Sequence, residues 1–174
     1  GLMLQVITAA VLVAGQTISN TIGLSMANLI DPNMGNVPVI GQFLIVLSTL
    51  IFVGLGGHGL LLGLLLDSFQ TMPIGKPLLS QQAWGGLLTW SSMIFLGALL
   101  IALPIMVTLL FINIGLGIVT RAAPSLNIFS VGFPASIAAG FLVLILSLDS
   151  IGGRMLWLWM QGFSHAKDLV GLTQ

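Results

Sequence analysis

The sequence predicts an all-α membrane protein, built from apolar helical hairpins whose helices are broken by glycine and proline. Three observations carry that prediction. First, 57% of the 174 residues are hydrophobic and only 5% are charged, whereas a soluble domain keeps its surface wet with about 25% Asp, Glu, Lys and Arg. Four acidic and four basic residues cannot cover a globule, so lipid or other apolar protein must act as solvent. Second, the apolar residues fall into four long runs, each at or near the length of about 20 residues that crosses a hydrocarbon core. Third, turn-rich connections separate the runs, and Gly clusters or Pro interrupt them from within.

The first run covers residues 2–30 and holds no charge. Gln5, Gln16, Asn20 and Asn28 interrupt it at spacings that place most of them near one helical face. Such a stripe on an apolar helix faces protein or water in preference to lipid. The connection that follows contains Asp31, Pro32, Asn33, Met34, Gly35, Asn36, Val37 and Pro38. Pro fixes φ there, while Asn and Gly tolerate left-handed geometry. Residues 39–66 form the second run, opening with Val39, Ile40, Gly41 and Gln42. Near its middle stand Gly54, Gly56, Gly57, His58 and Gly59, where helix propensity falls by up to about 1 kcal/mol per Gly relative to Ala. A helix break or hairpin tip is expected at that point.

A polar connection over residues 67–82 leads to the third run, 83–119, which is far longer than one crossing requires. Pro104 lies inside it and lacks a backbone donor, so a kink or a pair of half-length helices is expected. A short connection follows at 121–127, and residues 128–148 form the fourth run, with Pro134 near its start. Arg154, Trp157, Trp159, Lys167 and Asp168 give the tail an interfacial look. If the runs cross in turn, Lys76, Arg154 and Lys167 share one side against Arg121, which would put the Lys76 loop in the cytoplasm. The chain starts at Gly1 and enters an apolar run at once. That does not read as a signal peptide but as a chain whose true start has been cut off.

The chemistry-bearing residues point away from catalysis. Zero formal net charge and no basic cluster argue against nucleic acid. No cysteine and only two scattered histidines argue against a metal site. Gly54, Gly56 and Gly59 spell G-x-G-x-x-G, but apolar flanks and the early Asp67 reject a dinucleotide fingerprint. No Gly-x-Ser-x-Gly element supports a serine hydrolase, and Asp31 and Asp67 bracket a run where an aspartyl dyad needs them together. No catalytic, cofactor-binding or metal-binding residue is therefore expected. Gly59 with Gly63, and Ser136 with Gly140, are spaced for close helix packing. His58 reads first as a histidine bonded to neighbouring backbone and second as a proton relay. The broken runs also fit an independent small-solute transporter with discontinuous helices.

Around the third connection the residues resemble a known family. Arg121, Pro124, Asn127 and Phe129, followed by Gly132, Phe133 and Pro134, are similar to the flagellar export family FliR. Its pattern there runs Asn-Arg-x-Ala-Pro-Gln-x-Asn-x-Phe and then Gly-Phe-Pro. Thr120 and Ser125 depart from it. Gly23 to Ala27 with Asp31-Pro32, then Gly57-His58-Gly59, then Ser68-Phe69 with Met72 to Gly75, and Ala102-Leu103-Pro104 resemble the same family in the same order. The resemblance covers nearly the whole chain as one export-gate domain, and the family's N-terminal portion is absent. Injectisome homologues share the Arg-x-x-Pro element but favour Gly-Phe-Pro less.

The resemblance implies a non-enzymatic subunit of the flagellar type III export gate in the bacterial inner membrane, at the flagellar basal body. It would form a channel for unfolded flagellar proteins with FliP-like and FliQ-like subunits, beside FlhB-like and FlhA-like export proteins. The family also places a pore plug just after its Asp-Pro element. Here that implies residues 31–42, from Asp31 to Gln42. Family assemblies are drawn up out of the bilayer plane, so buried helices would mimic membrane spans.

Overall fold

The computed structural model describes residues 1–24, 39–71, 81–122 and 132–171. These form six α-helices and, among the described residues, no strand: α1 (Leu2–Ile22), α2 (Val39–Gly54), α3 (Gly57–Thr71), α4 (Gln81–Ser91), α5 (Met93–Ala122) and α6 (Phe133–Val170). The all-α membrane prediction holds. Three helices are long and apolar enough to cross a membrane, and the bent pair α2–α3 makes a fourth if it counts as one span.

α1 is the central element, packed against α2, α5 and α6. Its buried residues Met3, Ile7, Ala10, Val11, Ala14, Ile18 and Ile22 recur at helical spacing. Neighbouring helices are told apart by their contacts. The Trp90 indole N–H donates to the Met3 carbonyl at 3.0 Å, and Gly97 faces Ala10, so the α4–α5 chain runs parallel to α1. Gly140 lies against Ile22 while Gly162 lies against Ile7 and Trp90, so α6 runs antiparallel. Gly41 meets Gly15 near the start of α2, and the Trp159 indole N–H donates to Ser48 Oγ at 3.0 Å. α2 is therefore parallel to α6.

Small residues fix how closely these helices approach. A Cβ on Gly15 would collide with the Gly41 backbone. One on Gly140 would stand 2.7 Å from Ile22 Cγ1, and one on Gly97 3.1 Å from Leu158 Cδ2. Where a hydrophobic driving force between helices is weak, close backbone packing of this kind holds them together.

Two expectations are corrected. Of the two alternatives at Pro104, the pair of half-length helices is overturned: α5 passes through the proline as one 30-residue helix. Ile101, Ala102 and Ile105 around the proline are buried, and keeping that face packed outweighs one missing backbone donor. The Thr108 hydroxyl donates to the Pro104 carbonyl at 2.8 Å. The chain breaks instead at Ser92, between α4 and α5. The tail residues read as interfacial all lie on the 38-residue α6, and of them Trp159 is instead turned into the bundle, 4.7 Å from the Phe52 ring between centroids.

The exterior is inverted relative to a soluble protein. More large apolar side chains are exposed than buried among the described residues, and they line α2, α3, α5 and α6 outward, as a lipid- or protein-facing surface requires.

Candidate functional site

The helix break predicted in the Gly-rich stretch is present and sharply defined. α2 and α3 meet at an angle of 67°. The ladder ends as the Gly56 amide donates to the Val53 carbonyl at 2.9 Å, and α3 restarts as the Gly59 amide donates to the Gly56 carbonyl at 2.9 Å. Gly56 sits at φ +67°, a left-handed conformation open to glycine at little cost. Gly57 is needed for space: a Cβ there would stand 2.5 Å from the Phe52 ring. The joint is thus a bend and not a hairpin tip.

His58 departs from the backbone-bonded reading. It is exposed in the first turn of α3, and among the described residues it forms no hydrogen bond. A Cβ added at Gly54, Gly59 or Gly63 would meet nothing within 4 Å. Their small faces are open within this chain, and the close approaches occur at other glycines. Ser136 and Gly140 do join helices. The Ser136 hydroxyl donates to Asn113 Oδ1 at 3.0 Å, tying α6 to α5, and Gly140 takes Ile22.

The family-like residues gather at the opposite end of the bundle from the bend. Arg121 is exposed in the last turn of α5, where a cation complements the unsatisfied carbonyls. Gly132 is the N-cap of α6, and Pro134 lies in its first turn, where a missing N–H costs nothing because that donor has no helical acceptor. The motif is thereby a helix-start device. Pro124, Asn127 and Phe129 lie outside the described residues.

The implied plug segment is split by the structure. Asp31, Pro32, Asn33, Met34, Gly35, Asn36, Val37 and Pro38 lie outside the described residues. Val39, Ile40, Gly41 and Gln42 are the first turn of α2, with Ile40 and Gly41 buried. These four are therefore helix and not loop, because Gly41 must seat against Gly15 to hold α2 on α1. The polar stripe of α1 is legible in three dimensions. Gln5, Gln16 and Asn20 are all exposed on the side away from the packed neighbours.

One cleft of about 370 Å³ opens between the start of α1, α3, α4 and the end of α6, lined by Leu61, Leu64, Leu65, Leu87 and Leu169 among others. Its walls are apolar apart from Ser68 and backbone groups. Beside it, His165 stacks on Trp90 with ring centroids 4.4 Å apart. No group of His, Cys, Asp or Glu suited to a metal ion occurs among the described residues.

Two features escape the sequence reading. The close approaches at Gly15, Gly41, Gly97 and Gly162 involve pairs far apart in the chain, so no local spacing marks them. Asp149, exposed midway along α6, carries a signal that is legible: a single charge inside an apolar stripe with a seven-residue repeat.

Comparison with known proteins gives a consistent answer. Residues 1–162 match the family described as "Bacterial export proteins, family 1". "Flagellar biosynthetic protein FliR" of Escherichia coli (strain K12) is 36% identical over 171 residues, covering 98% of this chain and 66% of that protein. The protein of the same name from Pectobacterium carotovorum subsp. carotovorum is 40% identical over 175 residues, 100% of this chain and 66% of its own length. That of Bacillus subtilis (strain 168) is 34% identical over 155 residues, 87% of this chain and 60% of its own. The chain thus spans about two thirds of the length of these relatives. With the family matched over nearly all of its residues, on an all-helical apolar fold, this chain belongs to the FliR family of bacterial export proteins.

Proposed function

We propose that this chain is a subunit of the flagellar type III export gate in the bacterial inner membrane. With FliP-like and FliQ-like proteins it forms the channel that passes unfolded flagellar proteins, next to FlhB-like and FlhA-like components of the basal body. The carrying observation is membership of the FliR family, whose relatives are named flagellar biosynthetic proteins. The uncovered apolar faces of α2, α3, α5 and α6 support it, because they offer surface on several sides to neighbouring subunits. Gly132-Phe133-Pro134 favours the flagellar branch over the injectisome one.

In this reading the chain acts as one export-gate domain and performs no catalytic step. Substrate drive comes from the partners. The plug is residues 31–38, ahead of the packed first turn of α2. The bend at Gly54–Gly59 supplies a joint at the other end.

Gentle-detergent purification of the full-length protein from its native membrane tests the assembly. FliP-like and FliQ-like proteins are expected in a fixed ratio; a chain that purifies alone overturns it. Deleting residues 31–38 in the assembled complex is expected to make the membrane leaky to small solutes. Unchanged permeability rejects the plug.

The bent α2–α3 pair favours one second reading, an independent small-solute transporter with a discontinuous helix. That reading requires solute binding by the purified chain alone, altered by substitution at His58.

A further inference from the structure

The side of α6 turned away from α1 carries an ordered stripe. Leu142, Leu146, Asp149, Gly153, Leu156 and Met160 follow one another at alternating spacings of four and three residues, and all six are exposed. That alternation is the seven-residue repeat by which one helix offers a seam to one other helix. Nothing lies within 4 Å of a Cβ placed on Gly153, so the seam has a notch where a second backbone can come close.

Asp149 stands at the middle of this seam. Gly140 is level with Ile22 and Gly162 with Ile7, which puts residue 149 about level with Gln16, roughly a turn from the midpoint of α1. Among the described residues its carboxylate makes no hydrogen bond or ion pair. Arg154 does not serve it: five residues on, it lies about 140° around the helix and is half-buried on another side. A carboxylate at this height in an apolar surface is among the groups least tolerated against hydrocarbon.

We infer that the outer face of α6 is the seat of one apolar helix from a partner chain, carrying a lysine, arginine or histidine that pairs with Asp149. The repeat selects a helix as occupant, and a carboxylate left without a partner among the described residues selects a cation on it. A single polar position in an otherwise apolar seam also sets register, since only one alignment satisfies it. This rests on the reading of the chain as one subunit of an assembly.

A photo-reactive residue maps the seam. It replaces Leu146 or Met160 in the full-length protein in its native membrane, with Ile114, exposed on α5, as the off-seam control. Both seam probes are expected to label one and the same apolar helix, with a basic residue between the two attachment points, and the control is expected to miss it. Asp149→Lys is expected to lower recovery of that partner at least tenfold and Asp149→Asn less. Converting the mapped basic residue to Asp restores recovery with Asp149→Lys. Labelling of lipid alone, of a second copy of this chain, or wild-type recovery with Asp149→Lys overturns the inference. If other membrane subunits still co-purify while the seam labels only lipid, the seam falls and the subunit reading stands. If the chain purifies alone, both fall.

Discussion

At Gly15, Gly140 and Gly162 a single hydrogen in place of a side chain decides whether two helices can touch. Gly15→Ala drives a methyl into the Gly41 backbone, which cannot rotate away. The expected cost is about 1–3 kcal/mol, the range for overpacking, seen as a lower unfolding temperature in detergent by circular dichroism. Gly63→Ala is the contrasting case, because its Cβ meets nothing. It should gain up to about 1 kcal/mol from helix propensity. A gain at Gly15, or a loss at Gly63, would refute this assignment of packed and open faces. The buried pair of Trp159 and Ser48 is a second residue-scale test. Trp159→Phe leaves the Ser48 hydroxyl without its donor, and Ser48→Ala leaves the indole N–H without its acceptor. Each should cost about 1–3 kcal/mol, and the double variant should cost less than the sum of the two. Of the packed glycines the sequence marks Gly140, through its spacing from Ser136, and it marks Gly63 in the same way although that face is open. Gly15 and Gly41 are separated by a connection, and Ser48 and Trp159 by most of the chain. Such pairs are invisible to any local pattern.

Elements are more legible than contacts. The apolar runs around α1, α2, α5 and α6 can be read from composition, because hydrocarbon-length stretches without charge leave few alternatives. The α2–α3 break is also legible, since several glycines in six residues remove helix propensity at one place. Pro104 misleads for a physical reason: a proline removes one donor, but buried neighbours on both sides hold α5 together. Gly56→Ala puts a Cβ at φ +67°, and should cost about 1–2 kcal/mol or open the 67° bend. Spin labels on α2 and α3 would read the change in angle. Pro104→Ala restores a donor inside a helix that is already continuous, so the unfolding temperature should rise. A fall would mean that the proline shapes a packed contact.

Taken as a whole molecule, the chain has a bundle interior set by α1 and an apolar exterior that no part of the described chain covers. That asymmetry is visible in the composition alone. The identity of what covers the exterior is not, because lipid tails and partner helices impose the same hydropathy on a sequence. Only the exceptions discriminate: Asp149 on α6, and Gln5, Gln16 and Asn20 on α1. Replacing those three polar residues by Leu should leave the chain's own fold intact, since all are exposed. If they face protein or water, assembly or export should drop, scored by swimming motility, with membrane insertion unchanged. Normal motility would show that the stripe faces lipid.

The unequal lengths of α1 and α6 have a consequence for the bilayer itself. With 21 residues α1 spans about 32 Å, while the 38 residues of α6 span about 57 Å. To fit within a hydrocarbon layer about 30 Å thick, α6 would have to tilt close to 60°, beyond the range of about 0–40° seen for membrane helices. Its packing along α1 denies it that freedom, because Gly140 and Gly162 anchor it at both ends of the shorter helix. The surplus of α6 therefore lies beyond Gly140 and Gly162, and past Gly162 it exposes Ser164, Lys167 and Asp168. A polar end of that kind can stand past the acyl chains without hydrophobic mismatch, so the longest helix of this chain carries its own step from hydrocarbon to headgroups and water.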